Sequence, residues 1–310
     1  MRILKKIIFL KLFLSTIITN GQEYGNEWIN YDQQYFHFPV ITSGVHRIYF
    51  NTINNILNEQ GVDLSQINHT QFQIFGKQKE VSLLVNDANN NNFLDENEYI
   101  EFYAEKNDGW LDDLVYDSTH HIPDKYFSLF NDTIRYYFSW NNGFNNKRTL
   151  IETDINYDSY SAIEYCWKKT LKKYISNYVL GEQTSGLSSP KYNIGEGWAG
   201  SQHSKTGSYT ENLSSANFFS GGPNAHGKIN LSSTNSSTTN LENFNHNTQF
   251  FINNNLIVDS SYFGYKVLNI EFNLNSNELS NTTAVEHYIG NIGQGTDYQH
   301  IASMFLCYPH

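Results

Sequence analysis

The sequence predicts a mostly β protein, with a small β-sandwich-like N-terminal region followed by an antiparallel jelly-roll-like β-sandwich. Three observations predict it. Short runs of aromatic and β-branched residues recur along the chain, separated by Asn, Ser and Gly clusters. Aromatic residues make up 15% of the 310, enough to build cores although only 16% are charged. Helical spacing is confined to one short segment, Thr52 to Asn58, and one ambiguous one, Ile163 to Leu180.

The first residues read as a secretory signal. Arg2, Lys5 and Lys6 precede an apolar run from Ile7 to Ile18, and cleavage is expected near Gly21 or Gln22. No later stretch approaches the ~18 apolar residues of a membrane span, so no transmembrane helix is expected after cleavage. The protein is expected to be exported, to the periplasm, the outer membrane surface or the medium. A net charge of -11 argues against nucleic acid, which requires a basic face.

Beyond residues 1–21, three regions are expected: an N-terminal β domain over 22–115, a β-rich connection over 116–190 and the jelly-roll-like domain over 191–310. Tyr35–Ile41 and Gly44–Phe50 read as two strands round Thr42-Ser43. The short helix follows, with Thr52 as N-cap, Ile53, Ile56 and Leu57 on one face and Gly61 as its end. Phe72–Phe75 and Val81–Val85 flank Gly76 as a hairpin, and Tyr99–Ala104 is a further strand. Lys106-Asn-Asp-Gly109 is a turn. Tyr126–Phe130 and Thr133–Trp140 read as strands flanking Asn131-Asp132. Ile163–Leu180 spaces Trp167, Leu171, Tyr174 and Tyr178 as a helix would, and also fits a surface strand pair; its lysines form a solvated face. Ser185–Ser189 resembles a linker, and Ser232–Asn240 a loop. Between them and beyond, Lys228–Leu231, Thr248–Ile252, Leu256–Asp259, Tyr265–Phe272 and His300–Leu306 are short strands, with a tight hairpin at Asn253-Asn-Asn255.

One stretch carries a chemical pattern. Asp87, Asn89, Asn91, Asp95 and Glu98 occupy positions 1, 3, 5, 9 and 12 of a twelve-residue calcium loop, with the Phe93 carbonyl at position 7. Ca²⁺ is a hard cation that takes six to eight oxygens, and this spacing wraps them round one ion while Leu94 turns inward. Asn92 stands where glycine is usual; asparagine is the next-best residue for a left-handed backbone. A metal-free Asn/Asp-rich turn between strands is the alternative. The segment after it is strand-like, so bound calcium would be a static structural clip.

No catalytic residue is assigned. Cys166 and Cys307 define no disulfide framework in a chain this size and are expected to be unpaired. Neither has a local nucleophile signature. His120 and His121 lie in a Pro-containing loop, and Asp112 and Asp113 are adjacent, a poor acid–base pair.

Several elements in order carry a resemblance. They are Tyr24-Gly-Asn-Glu-Trp-Ile29, Phe38-Pro-Val, Gly44-Val-His-Arg-Ile48, Asn91–Asp95 with Tyr99-Ile-Glu-Phe-Tyr103, Gly109-Trp-Leu-Asp112, Tyr126–Thr133 and Gly195-Glu-Gly-Trp198. Together they resemble the N-terminal region of PorU-like type IX secretion sortases, which belong with the gingipain-type cysteine peptidases. The resemblance implies a downstream caspase-like peptidase domain with a catalytic His–Cys pair, which no residue here matches. It implies that this chain is a non-catalytic N-terminal portion, truncated within the last β domain. Its implied partners are secretion-system components, secreted cargo or that peptidase domain. The alternative function is a stand-alone secreted β-sandwich that binds carbohydrate or protein, with Trp110, Trp140 and Trp198 as platforms unless they are core.

Overall fold

The computed structural model describes residues 25–143, 145–182, 190–234, 244–292 and 295–310. The expected signal peptide, Tyr24, the Ser185–Ser189 linker and most of the 232–240 loop lie outside these residues. The protein is mostly β, arranged in antiparallel sheets. It divides into two compact units. One comprises residues up to Glu105 together with Ile134–Ile151; the other comprises Lys106–Thr133 with Glu152–His310. These limits cross the boundaries expected at 115 and 190, because the strand after residue 133 returns to the first unit.

The first unit contains β1 (Phe36–Val40), β2 (Gly44–Tyr49), helix α1 (Phe50–Glu59), β3 (Phe72–Gly76), β4 (Lys79–Val81), β5 (Leu83–Asn86), β6 (Tyr99–Ala104) and β7 (Ile134–Trp140). One sheet has the order β1-β7-β3-β4 and the other β2-β6-β5. Thus β1 and β2, expected as neighbours, enter different sheets: β1 pairs with β7 and β2 with β6. A local turn signal cannot reveal such long-range pairing. Tyr126–Phe130 forms no strand, so β7 has no partner there either. β3 forms a hairpin with Lys79–Val81, turning at Lys77 and Gln78 at positive φ, and not with the expected Val81–Val85, most of which is β5 and pairs with β6 in the other sheet. Phe72, Ile74, Leu83, Leu94, Ile100 and Phe138 are fully or nearly fully buried in the core.

Helix α1 buries Ile53 and Leu57, four residues apart, against that core. Ile56 instead faces solvent. The N-cap is Tyr49, without a side-chain cap, and not Thr52, which lies within the helix. β2 runs directly into the helix, and the Phe50 N–H bonds to the Glu98 carbonyl, which satisfies one of the early helical donors without a polar cap.

The second unit contains β8 (Trp167–Lys173), β9 (Asn177–Val179), β10 (Gly197–Ala199), β11 (Gln202–Ser204), β12 (Ser208–Ser214), β13 (Ala225–Ser233), β14 (His246–Ile252), β15 (Asn255–Tyr262), β16 (Val267–Leu274), β17 (Thr282–Tyr288) and β18 (Tyr298–Pro309). The ambiguous 163–180 segment contains two strands and no helix, but they do not pair with each other: β8 docks on β18 and β9 on β10. One sheet runs β11-β18-β13-β16 with β8 also on β18, and the other β12-β17-β14-β15. Ile229, Leu231, Met304 and Leu306 of the first sheet and Leu213, Phe250, Ile252 and Val285 of the second belong to one buried core. The unit is therefore a two-sheet β-sandwich. Asn253 and Asn254, at φ 48° and 68°, make the tight β14–β15 hairpin.

Candidate functional site

The Asp87–Glu98 loop connects β5 to β6. Three of its asparagines, Asn90, Asn92 and Asn97, have positive φ, the conformation the sequence suggested for position 6. Leu94 turns inward and is 1% exposed. Asp87 accepts backbone N–H groups from Asn91 (3.2 Å) and Asn92 (2.9 Å). Asn89 and Asn91 form Asx turns through the Asn91 and Phe93 N–H groups, and both amides donate to Asp95 Oδ2, at 2.9 and 2.6 Å. Asp87 binds the backbone of the Asn91–Asn92 turn, while Asn89 and Asn91 meet at Asp95. Glu98 is positioned differently. It is 4% exposed, and its two carboxylate oxygens accept the Ala88 and Asp95 N–H groups, bracing both ends of the loop. Among the described residues, no three acid, imidazole or thiol side chains form a group placed to hold a metal.

By donor type the loop fits a hard cation: carboxylates at Asp87 and Asp95, amide oxygens at Asn89 and Asn91, and the Phe93 carbonyl. These are the residues that would hold calcium, and bound calcium would supply charge neutralisation and a rigid turn. One participant was not read from the sequence. His69 Nε2 bonds Asp87 Oδ2 at 3.0 Å, and the His69 backbone N–H donates to the Asn92 carbonyl. Burial works against the Asp87 charge, but the Asn92 N–H, the His69 ring and the Asn91 N–H outweigh it and hold its pKa below the ordinary carboxylate value. The residue is eighteen positions upstream, on a different short helical turn, so no local spacing announces it.

The second unit contains a buried polar chain that sequence reasoning also missed. Gln299 donates through Nε2 to the Asn247 carbonyl (3.1 Å) and to Asp297 Oδ1 (3.0 Å). Its Oε1 therefore accepts from His287 Nε2–H (3.2 Å), which also lies 2.9 Å from Thr248 Oγ1. That leaves His287 Nδ1 bare, and it accepts from His203 Nδ1–H at 2.8 Å. The chain thus fixes both tautomers. Burial first, then His300, pushes the His203 pKa down to about 4; burial first, then His203, pushes that of His287 down to about 3. His203 stacks on Tyr209 and His287 on Phe250. Both rings are uncharged at neutral pH.

The other candidates have structural partners. Asp112 and Asp113 lie on a 3-10 turn, not a strand; Asp112 is buried and accepts the Leu129 N–H at 2.6 Å, while Asp113 is exposed. His120 and His121 lie on another such turn. Cys166 and Cys307 are free; Cys166 is exposed, with Sγ 3.5 Å from the His310 carbonyl. Trp140 packs against the first core, and Trp198 Nε1 donates to the Leu129 carbonyl (3.3 Å). Trp110 is half-buried.

No protein-family model and no curated protein matches the chain. Among solved structures, it is similar to latent dimeric PorU from Porphyromonas gingivalis, at 12% identity and a TM-score of 0.47, over 90% of this chain and 24% of that one. It therefore spans about a quarter of that PorU chain. Part of it is similar to the CBM36-1 domain of a multidomain xylanase from the hindgut metagenome of Trinervitermes trinervoides (13% identity, TM-score 0.25, 45% of this chain and 96% of that one). A family 35 carbohydrate-binding module from an environmental isolate gives 13% identity and a TM-score of 0.23, over 48% and 93%. Among the described residues, no helix is long and apolar enough to cross a membrane.

Proposed function

We propose that this chain is the non-catalytic N-terminal portion of an exported PorU-like cysteine peptidase of type IX secretion. Its two β units serve as docking or scaffold domains for secretion components, cargo or the peptidase domain. The observation that carries the reading is how the resembling elements are used. Three stretches far apart in sequence, Gly109–Asp112, Tyr126–Thr133 and Gly195–Trp198, meet at Leu129. Its N–H is held by Asp112 and its carbonyl by Trp198. The Gly195 N–H bonds the His121 carbonyl, and the Tyr116 hydroxyl donates to the Glu196 carbonyl. A side chain at Gly195, whose φ is 77°, would run into Ser232 Oγ at 2.3 Å. These three stretches thus act as a bracket inside the second unit, which suits a scaffold role. Sequencing the gene beyond His310 tests the proposal: a reading frame encoding a peptidase domain with a His–Cys pair is expected, and an immediate stop codon with no such frame would overturn it.

Calcium at Asp87–Asp95 is the second part of the proposal, supported by the donor types and the turn geometry. Saturating calcium at about 100 times its Kd would stabilise the first unit by ~2.7 kcal/mol. The melting temperature of the wild type should rise with calcium and that of Asp87→Ala should not. A wild-type melting curve indifferent to calcium would remove the ion from the site.

A further inference from the structure

A cleft of about 430 Å³ opens in the second unit, at the junction of β9 with the start of β18. Its walls include Asn177, Tyr178, Gln202, Thr234, Tyr265 and His300. The register explains their convergence. Gln202 is paired with His300 across β11 and β18, and Tyr178 with Trp198 across β9 and β10. Between β10 and β11 lies Gly200, whose N–H bonds the Ile301 carbonyl at 2.8 Å.

The Gly200 carbonyl organises the polar wall. It lies 3.0 Å from His300 Nδ1 and accepts the Asn177 Nδ2 donor at 3.0 Å. A carbonyl can only accept, so His300 Nδ1 carries the proton and Asn177 presents its nitrogen there. Burial keeps the His300 pKa below the ordinary imidazole value. The ring is therefore neutral, with a bare Nε2. Two residues of the cleft wall are thus pinned by one carbonyl, and their remaining acceptors, His300 Nε2 and Asn177 Oδ1, have no hydrogen-bond donor among the described residues. Tyr178 is held edge-on against Trp198 (5.3 Å between centroids) and through its hydroxyl to Glu196 Oε1 (3.2 Å), and the residue is 37% exposed. Tyr265 is half-buried on the same cleft.

We infer that this cleft binds a neutral sugar, whose hydroxyls donate to His300 Nε2 and Asn177 Oδ1 while an apolar ring face lies on a tyrosine. The volume falls within the range of small-ligand sites. Two preset acceptors require a ligand rich in donors. Among the described lining residues there is no carboxylate, lysine or arginine, and the one histidine, His300, is neutral, so these residues offer an ammonium or carboxylate no counter-charge, whereas a hydroxylated ring needs none. The inference does not rest on the proposed scaffold role, because sugar binding is read without any peptidase domain, so the failure of one does not decide the other.

The test titrates the full chain with glucose, galactose, mannose, N-acetylglucosamine and cellobiose, followed by protein-observed NMR. Expected is saturable binding of at least one sugar, with shifts at Asn177, Tyr178 and His300. Affinity should fall at least tenfold in Tyr265→Ala and in Asn177→Ala. Because Asn177→Ala also removes a structural bond, Gln202→Ala, an exposed position, serves as a second variant and should weaken the same sugar. Failure of every sugar to bind saturably would overturn the inference. So would binding unchanged in folded Tyr265→Ala and Gln202→Ala proteins, or a lysine-containing peptide displacing the sugar class altogether.

Discussion

The buried histidine chain gives the sharpest prediction, because its pH dependence follows from geometry. In the folded second unit His287 accepts at Nδ1 from His203 and donates at Nε2 to Gln299 and Thr248. Protonating His287 at Nδ1 would set one N–H against another 2.8 Å away. The folded pKa values, about 3 and about 4, thus lie below the ordinary 6.5 of an exposed imidazole. The unfolded chain binds more protons over that interval, so stability is complete above pH 6.5. It is lost as the pH falls from 6.5 toward 3–4. At pH 5 the unfolded His287 has gained a proton that the folded ring has not. At 1.36 kcal/mol per pH unit, the interval from 6.5 to 5 costs ~2 kcal/mol for this ring alone. His203 adds a smaller cost of the same sign, since it is partly exposed and its charge is partly screened. His300, also depressed by burial, acts in the same direction. Against a domain stability of roughly 5–15 kcal/mol, this is a large share.

Urea unfolding should be followed at the amides of β14 and β17, which belong to the second unit, at pH 7.5, 6 and 5. The unfolding free energy should fall by ~2 kcal/mol or more between pH 7.5 and 5. In His287→Gln, which can still accept from His203 and donate to Thr248, one titrating group is gone. The steepness of the fall should drop by about one proton. A flat profile in the wild type, or an unchanged slope in His287→Gln, would refute the reasoning.

Two further outcomes follow from packing and backbone geometry. A methyl group at Gly76 would meet the Tyr136 ring at 2.1 Å and dislodge the hydroxyl that accepts the Glu105 N–H at 2.8 Å. Gly76→Ala should therefore destabilise the first unit by ~1–3 kcal/mol in urea titration. Asn254 sits in the left-handed region at φ 68°. Asn254→Ala should cost ~1 kcal/mol while Asn254→Gly leaves the hairpin intact, as read from the melting temperature.

Much of the fold was legible where chemistry is local. Asn253–Asn255 announces a turn by composition, and the long apolar runs of β7, β14 and β18 announce strands; the turn expected at Lys106–Gly109 instead starts at Gly109, whose carbonyl accepts the Asp112 N–H. What failed was pairing over distance. Nothing near Tyr35–Phe50 signals that its two strands belong to separate sheets, or that β7 lies between β1 and β3. β12 and β17 went unread because their buried faces carry polar groups. In β17 the inward positions are Thr283, Val285 and His287, which look like surface until Thr248 and Gln299 surround the histidine. The same concealment hid His69 beside Asp87.

The loop residues were legible as a set, but not the way they divide. Of nine non-glycine residues at positive φ among those described, six are asparagines: Asn90, Asn92, Asn97, Asn217, Asn253 and Asn254. Much of the asparagine in this loop therefore has a backbone reason that holds without a metal. Asn89 and Asn91 add Asx turns, and their amides already donate to Asp95. Glu98 already accepts one backbone N–H on each carboxylate oxygen, so any bond it made to an ion would be shared with these. For calcium to enter, two amides must turn their oxygens inward and surrender two N–H···O bonds to Asp95, and Asp87 must share carboxylate oxygens that already accept the Asn91 and Asn92 N–H groups. The ion's contribution is thus a difference between two well-bonded arrangements of one turn. For that reason a calcium-dependent rise in melting temperature, and not the mere presence of the loop, is what distinguishes the clip from the plain turn.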